Sequence, residues 1–259
     1  MKVLGVLPAR MAATRFPNKP MALIQGMPMI GHCYLRSRMC DLLDEVYVAT
    51  CDNEIREYVE SIGGKAVLTA DTHERASERS AEALLNIEKE TGLHFTHVVM
   101  IQGDEPLVDP EMIKEAIVPM TLQELQVCNL MAKLHTDEER DNPNNVKVVT
   151  DLGGNALYFS REPIPSKKKW SKETPSFRQL GLIAFTRESL LKFVAIETTP
   201  LEIIESVDMN RFLEHCIPIR MVVTKFAADS VDTPEDLQRV DVKMKNDPLF
   251  MTYRTEDES

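Results

Sequence analysis

Residues 3–20 read Val3-Leu4-Gly5-Val6-Leu7 and then Pro8-Ala9-Arg10-Met11-Ala12-Ala13-Thr14-Arg15-Phe16-Pro17-Asn18-Lys19-Pro20. The first five residues form a short apolar run of the kind that makes a buried strand. The rest cannot be a regular helix, because Pro8, Pro17 and Pro20 break it. Arg10, Arg15 and Lys19 fall within ten residues, in a chain whose net charge is −11. A tight cationic loop straight after the first strand suits a polyanion such as a triphosphate. The competing reading is a solvated surface loop, the usual place for Lys and Arg.

Working outward, Met29–Cys40 reads as a helix, and Asp44–Thr50 as a second strand through Val46, Tyr47 and Val48. Asp52–Ile62 is amphipathic, with Ile55, Tyr58, Val59 and Ile62 at helical spacing, and Gly63-Gly64 ends it. Lys65–Thr69 is a third strand, Ser77–Lys89 a helix, and Thr96–Ile101 a fourth strand of the continuous apolar kind. Strand and helix alternating in this rhythm imply βαβ units and an α/β, doubly wound, mostly parallel sheet. The second half is less regular. Val127–Leu134, Val146–Thr150 and Ala156–Phe159 read as strands, the last after a Gly153-Gly154 turn, which suggests a smaller antiparallel extension over about residues 127–175. Pro163–Pro175, with Lys167-Lys168-Lys169 and Trp170, reads as an exposed loop. Leu180–Phe185 and Ile219–Val223 are strands, and Glu188–Val194, Leu201–His215 and Thr233–Met244 helices. The tail from Thr252 is charged and is expected to fray. No linker or repeat divides the chain, so residues 1–259 are expected to form one domain.

Hydrophobic residues make up 43% and charged residues 27%, the balance of a chain that builds its own core without disulfide or metal staples. Cys33, Cys40, Cys51, Cys128 and Cys216 are odd in number and form no C-x-x-C pair, which argues against a zinc site or a disulfide framework. Reduced thiols in a cytoplasmic enzyme are the simplest expectation. No signal peptide and no membrane insertion are expected. The acidic balance speaks against nucleic acid as a partner.

In an open α/β sheet, ligands bind at the carboxyl ends of the strands. Three polar clusters fall there: the basic loop, Gln102-Gly103-Asp104-Glu105-Pro106 after the fourth strand, and Val231-Asp232-Thr233-Pro234-Glu235-Asp236 before the last helix. Two carboxylates with triphosphate oxygens and water are a usual Mg²⁺ shell. The residues thus suggest Arg10 and Lys19 on phosphates, with Asp104 and Asp232 on metal. Each piece has an ordinary structural reading as well. Asp104 suits a turn beside Gly103, and Asp232 precedes a helix start with Thr233 as N-cap and Pro234 at the first position.

These residues also resemble a family, the 3-deoxy-manno-octulosonate (Kdo) cytidylyltransferases. LPARMAATRFPNKP is similar to that family's I-P-A-R-x-x-S-T-R-L-P-x-K-P, and IQGDEP to its V-Q-G-D-E-P. NPNNVKVVTDLGGNALYFSREPIP follows its N-x-V-K-V-V…G-x-A-L-Y-F-S-R-x-P-I-P, and VDTPEDLQRV its V-D-T-P-E-D-L-x-x-V. The sialic-acid cytidylyltransferases match less well in the last two segments. The resemblance implies a nucleotide-diphospho-sugar transferase fold, a homodimer formed through the extension, and a Mg²⁺-dependent reaction of CTP with a 2-keto sugar acid that releases pyrophosphate. It implies Arg10, Thr14 and Lys19 on the triphosphate, with Ser77, Arg79 and Gln102 on the nucleotide. Arg10, Lys19 and Asp104 would be catalytic, and Asp104 and Asp232 would bind metal. Arg161, Gln179 and Asp208 would face the sugar, Arg161 as the fork for its carboxylate; a surface salt bridge is the other reading of Arg161.

The departures cluster. The family's H-x-S-G-T-E-R reads His73-Glu74-Arg75-Ala76-Ser77-Glu78-Arg79 here, with Ala76 for glycine. Its H-[IL]-G-I-Y-[AG]-[YF] reads Gln179-Leu180-Gly181-Leu182-Ile183-Ala184-Phe185, and its E-x-L-E-Q-L-R reads Glu205-Ser206-Val207-Asp208-Met209-Asn210-Arg211. The expectation is an intact nucleotide half and a retuned sugar half, taking Kdo or an amino or deoxy variant of it. A different sugar acid and a non-catalytic nucleotide-binding homologue are the alternatives.

Overall fold

The computed structural model describes residues 1–12, 16–169, 174–227 and 229–254. The chain forms two compact units, Met1–Lys114 with Ala228–Ser259, and Glu115–Ala227.

The first unit opens with β1 (Val3–Pro8), a 3-10 turn at Lys19–Met21, and a small hairpin of β2 (Leu23–Ile24) and β3 (Met27–Pro28). Then come α1 (Met29–Arg38), β4 (Glu45–Thr50), α2 (Asn53–Ser61), β5 (Ala66–Leu68), α3 (Ala76–Thr91) and β6 (His97–Met100). The sheet order in this unit is β6-β1-β4-β5, every neighbour parallel. Val3, Leu4, Val6 and Leu7 of the central β1 are all buried, which is why its sequence is apolar on both faces rather than alternating. Ile55 and Val59 bury the apolar stripe of α2, and Gly63, at φ 71°, ends that turn in a conformation that favours glycine. The α/β sheet read from the sequence is therefore the one observed.

Helix α4 (Pro110–Leu122) follows, a segment to which the sequence reading assigns no element. Its signals are present in retrospect. Asp109 Oδ1 accepts from the Glu111 N–H at 2.9 Å ahead of Pro110, and Met112, Ile113, Ala116, Ile117 and Met120 are buried at helical spacing. Pro119 inside the helix obscures the pattern.

The second unit contains β7 (Val127–Leu134), α5 (Asp137–Asp141), β8 (Lys147–Thr150), β9 (Ala156–Ser160), β10 (Ser176–Thr186), α6 (Arg187–Ala195), α7 (Pro200–Glu205), α8 (Met209–Glu214) and β11 (Arg220–Val223). The pairs β7–β10, β8–β10 and β8–β9 are antiparallel, as the turn spacing implies, while β11 runs parallel to β7. Phe212 packs between Phe185 and Phe193, with centroids 5.2 Å apart for Phe193–Phe212 and 6.5 Å for Phe185–Phe212. Lys167, Lys168 and Lys169 are exposed, as expected of their loop; Trp170 lies outside the described residues.

One helix expected over Leu201–His215 is two. Ser206 takes φ 51°, and the Arg161 guanidinium occupies the carbonyls of Glu205 and Ser206. Those carbonyls are thereby satisfied from outside the helix, and Val207 turns into the core.

The chain returns to the first unit with α9 (Pro234–Met244) and α10 (Phe250–Tyr253). Thr233 Oγ1 accepts from the Asp236 N–H at 3.2 Å, and Asp236 Oδ2 accepts from the Thr233 N–H at 3.1 Å, a reciprocal cap with Pro234 at the first helical position. The tail is anchored further than expected. Phe250 is buried, and the Tyr253 hydroxyl lies 2.9 Å from His32 Nδ1, so fraying does not begin at Thr252. Burial brings the His32 imidazole down to about 4, so it is neutral at pH 7.

Candidate active site

In the first unit, the strand ends place the basic loop beside both acidic segments. Lys19 Nζ donates to Asp104 Oδ2 at 2.6 Å and to the Val231 carbonyl at 2.8 Å, and it reaches Asp232 Oδ1 at 3.4 Å. The Val231 N–H donates to the Asp104 carbonyl at 2.9 Å, which ties the loop after β6 to the segment before α9. Burial by itself would lower the Lys19 ammonium. Asp104 and then Asp232 outweigh it, and Lys19 stands above its ordinary value, firmly protonated.

Asp232 belongs both to the start of α9 and to the Lys19 cluster. Its N–H donates to Asp236 Oδ2 at 3.2 Å as part of the α9 cap, while its carboxylate turns to Lys19. Two carboxylates converging on one ammonium are a donor set that also suits a hard divalent cation. No group of three or more His, Cys, Asp or Glu side chains is placed to hold a metal among the described residues. Phosphate oxygens and water would have to complete such a shell.

A cavity of about 290 Å³ opens above this cluster, lined among others by Arg10, Lys19, Arg79, Gln102, Asp104 and Asp232. Arg10 is exposed, its Nη1 donating to the His73 carbonyl at 3.3 Å. Arg79 is buried on α3; its Nη1 bonds to Thr69 Oγ1 and, at 3.2 Å, to the Ala70 carbonyl. Its Nη2 is buried with no partner among the described residues. A buried guanidinium donor left open beside a cavity suits an acceptor on a ligand. Ser77 is fully buried within α3. Thr14 and Arg15 lie outside the described residues.

Ala76, which stands where the family pattern has glycine, opens α3 and is not in the left-handed region, so this backbone does not need a glycine there. Arg75 and Phe16 also line the cavity, beyond the residues that the sequence singles out. The signal for Arg75 is its place in the same 73–79 segment as Arg79. His73 Nε2 pairs with Glu82, which also accepts from the Ala70 N–H at 2.9 Å; this is loop bracing of the kind a cap provides.

Gly103 is needed for a close approach. A Cβ there would meet the Pro8 carbonyl at 2.9 Å and Ile30 Cδ1 at 3.2 Å. Gly103→Ala is therefore expected to push the loop carrying Gln102 and Asp104 off the end of β1. Affinity for a triphosphate ligand should fall about tenfold while the far-ultraviolet circular dichroism is retained, measured by ligand titration.

The sugar-side candidates lie in the second unit, and each has partners there. Arg161 directs its whole guanidinium at backbone carbonyls: Nε to Glu205 at 2.7 Å, Nη1 to Pro143 at 2.9 Å and Nη2 to Ser206 at 3.1 Å. Among the described residues it makes no carboxylate salt bridge through these atoms. The Arg161 N–H donates to Glu205 Oε2 at 2.7 Å, and the Tyr158 and Ser160 hydroxyls donate to Glu205 Oε1 at 2.8 and 2.9 Å. Burial would raise the Glu205 carboxyl, but these bonds hold it below its ordinary range. The Arg161 carbonyl accepts from Lys147 Nζ, a buried lysine whose ammonium burial lowers. Asp208 is half-buried at the N-terminus of α8. Gln179 Nε2 donates to Asn129 Oδ1 at 2.8 Å. Ile183 and Met209 are both buried.

The family model Cytidylyltransferase matches residues 4–219. The 3-deoxy-manno-octulosonate cytidylyltransferase of Geobacter metallireducens is 39% identical over 255 residues, 94% of this chain and 98% of that protein. The enzyme of the same name from Geotalea daltonii is 39% identical over 257 residues, 95% of this chain and 99% of its own. Among solved structures, CMP:2-keto-3-deoxy-manno-octonic acid synthetase complexed with CTP superposes with a TM-score of 0.87 at 32% identity, covering 95% of this chain and 99% of that one. A putative glucose-1-phosphate thymidylyltransferase from Bacillus anthracis, at 15% identity, TM-score 0.67 and coverage of 99% and 98%, shares the fold alone. No helix among the described residues is long and apolar enough to cross a membrane. The resemblance carried by four sequence segments thus extends over nearly the whole of both chains, and the chain belongs to the cytidylyltransferase family, among the 3-deoxy-manno-octulosonate cytidylyltransferases.

Proposed function

We propose that this chain joins CTP to 3-deoxy-manno-octulosonate, or to a close variant of that keto sugar acid, giving the CMP-sugar and pyrophosphate. The observation that carries the reading is the Lys19 ammonium held between Asp104 and Asp232 at the edge of a cation-lined cavity. In the reaction, the anomeric hydroxyl oxygen of the sugar bonds to the α-phosphorus of CTP. The bond from that phosphorus to the pyrophosphate oxygen breaks, and the hydroxyl proton leaves to solvent. No covalent enzyme intermediate is required, so the protein's work is positioning and charge neutralisation. Arg10 and Lys19 neutralise the triphosphate, Thr14 helps hold the loop on it, Arg79 and Gln102 line the nucleotide pocket, and Ser77, buried within α3, serves the nucleotide from behind that lining. Asp104 and Asp232 would hold Mg²⁺, which supplies Lewis-acid polarisation of phosphate oxygens when bound.

Gln179 and Asp208 meet the sugar in this reading. Arg161, with its side chain engaged on carbonyls, serves the sugar side by holding the corner between α7 and α8 as well as by its charge. The chain acts as one cytidylyltransferase domain in the cytoplasm, as a homodimer formed through residues 127–175. A second reading, another sugar acid of the sialic type, draws on the apolar Ile183 and Met209 where the family pattern has Tyr and Gln. A non-catalytic homologue is disfavoured because both metal acids, Arg10 and Lys19 are all kept. The test is pyrophosphate release from CTP with a panel of keto sugar acids, with and without Mg²⁺. Mg²⁺-dependent turnover with Kdo or an amino or deoxy variant is expected, and no turnover with any of them overturns the reading.

A further inference from the structure

Asn129 is wholly buried in the middle of β7. Its neighbour β10 slips register there: Gln179 opposes Met131, and Ile183 opposes Asn129. Four residue steps on β10 (183 − 179) thus face two on β7 (131 − 129), and the extra residues form a bulge. The bulge carbonyls lose their ladder partners and need donors. Asn129 supplies them. Its Nδ2 lies 2.8 Å from the Leu180 carbonyl, 3.0 Å from that of Leu182 and 3.1 Å from that of Leu130.

Carbonyl oxygens only accept, so the amide nitrogen of Asn129 has to face them. Its Oδ1 is then an acceptor, and the Gln179 atom 2.8 Å away has to be the donating nitrogen. The orientation of both amides follows from this chain of partners. Gln179, half-buried on β10, is left with its Oε1 and a single N–H.

We infer that Asn129 is a positioning residue for sugar selection: it fixes which way the Gln179 amide faces, with one N–H and the Oε1 left for the sugar at set positions, so the sugar acid must bring a hydrogen-bond donor, a hydroxyl or an amino group, to the Oε1 position. This rests on the reading of Gln179 as a sugar contact. The family pattern has histidine there, and an imidazole offers either a donor or an acceptor according to its tautomer. The amide pair instead fixes which atom of Gln179 accepts and which donates. A keto sugar acid with the facing group deleted or capped leaves a desolvated acceptor unpaired, which is the strongest kind of discrimination a polar site makes.

The test uses the full chain with saturating CTP and Mg²⁺ and varied Kdo. Wild-type turnover is measured first, and its absence would count against the proposed function rather than against the amide pair. In Gln179→Glu at pH 8, a carboxylate oxygen faces Asn129 Oδ1. The sugar KM should rise about tenfold or more with the CTP KM unchanged. Relative to wild type at each pH, the defect should shrink as pH falls towards 5.5. The introduced carboxyl, once protonated, donates to Asn129 Oδ1 and again presents a carbonyl oxygen to the sugar. Gln179→Leu should show the same loss without recovery. These variants leave the buried Asn129 in place, so the bulge keeps its donors. A wild-type sugar KM in Gln179→Glu at pH 8, equal changes in both KM values, or the same pH profile in both variants would overturn the inference.

Discussion

Asp104→Asn is expected to lower Mg²⁺-dependent pyrophosphate release from CTP by about a hundredfold or more. The substitution is nearly isosteric and keeps an oxygen near Lys19, so geometry is largely preserved and charge is what changes. Against burial, which lowers the Lys19 ammonium, Asp104 is the foremost influence raising it, ahead of Asp232. Removing that charge loosens the lysine's place as well as halving the carboxylate charge available to a metal. Asp232→Asn should behave alike, for the second half of the same reason. Its backbone role survives, since the Asp232 N–H still reaches Asp236 Oδ2 and α9 keeps the Thr233 cap. With side chains 27% and 33% exposed, neither acid contributes more than about 1 kcal/mol to folding. Thermal melting should therefore be almost unchanged in both variants. Steady-state turnover over a Mg²⁺ titration reads the effect, and near-normal rates in either variant remove that residue from the metal site.

The largest effect on stability is expected at Glu202, away from the cavity. Glu202 and Arg211 are buried together, with Nε to Oε2 and Nη2 to Oε1 both at 2.6 Å, a bidentate pair. Arg211 Nη1 also donates to the Phe193 carbonyl at 3.1 Å, and the guanidinium lies 4.1 Å from the Phe193 ring centroid. Glu202→Gln takes the bidentate carboxylate away from that buried guanidinium, at a cost of about 3–5 kcal/mol. In a chain of this size the melting temperature should drop by roughly 10 °C. Replacing both residues, Glu202→Met with Arg211→Leu, should cost less than Glu202→Gln alone, because no charge is then stranded. A double variant melting below the single one would show that the pair stabilises beyond its own desolvation.

That pair also marks a limit of linear reading. Arg211 closes a recognisable segment, but its partner Glu202 sits in another helix, and the break between them at Ser206 has no strong local signal. Ser206 enters the left-handed region because Arg161, distant in sequence, takes the carbonyls that would continue the helix. Likewise Arg161 reads as a guanidinium fork for a sugar carboxylate, while the structure shows each of its nitrogens on a main-chain carbonyl. Helix α4 escapes for a different reason: Pro119 breaks a pattern that its buried Met112, Ile113, Ala116 and Ile117 satisfy.

The α/β class, most strand and helix positions, and the three segments that meet around Lys19 are all legible along the chain. They are legible because they are local: continuous apolar runs for strands buried on both faces, helical spacing, glycine and proline stops, and polar loops at strand ends. Which groups remain free to act is settled only by folding. Lys19 lies between Asp104 and Asp232, across 85 and 213 residues of chain, and Gln179 is turned by Asn129, 50 residues away. Partners at such separations leave no periodic trace, since they are chosen by hydrogen-bond completeness in the folded interior rather than by neighbours along the chain.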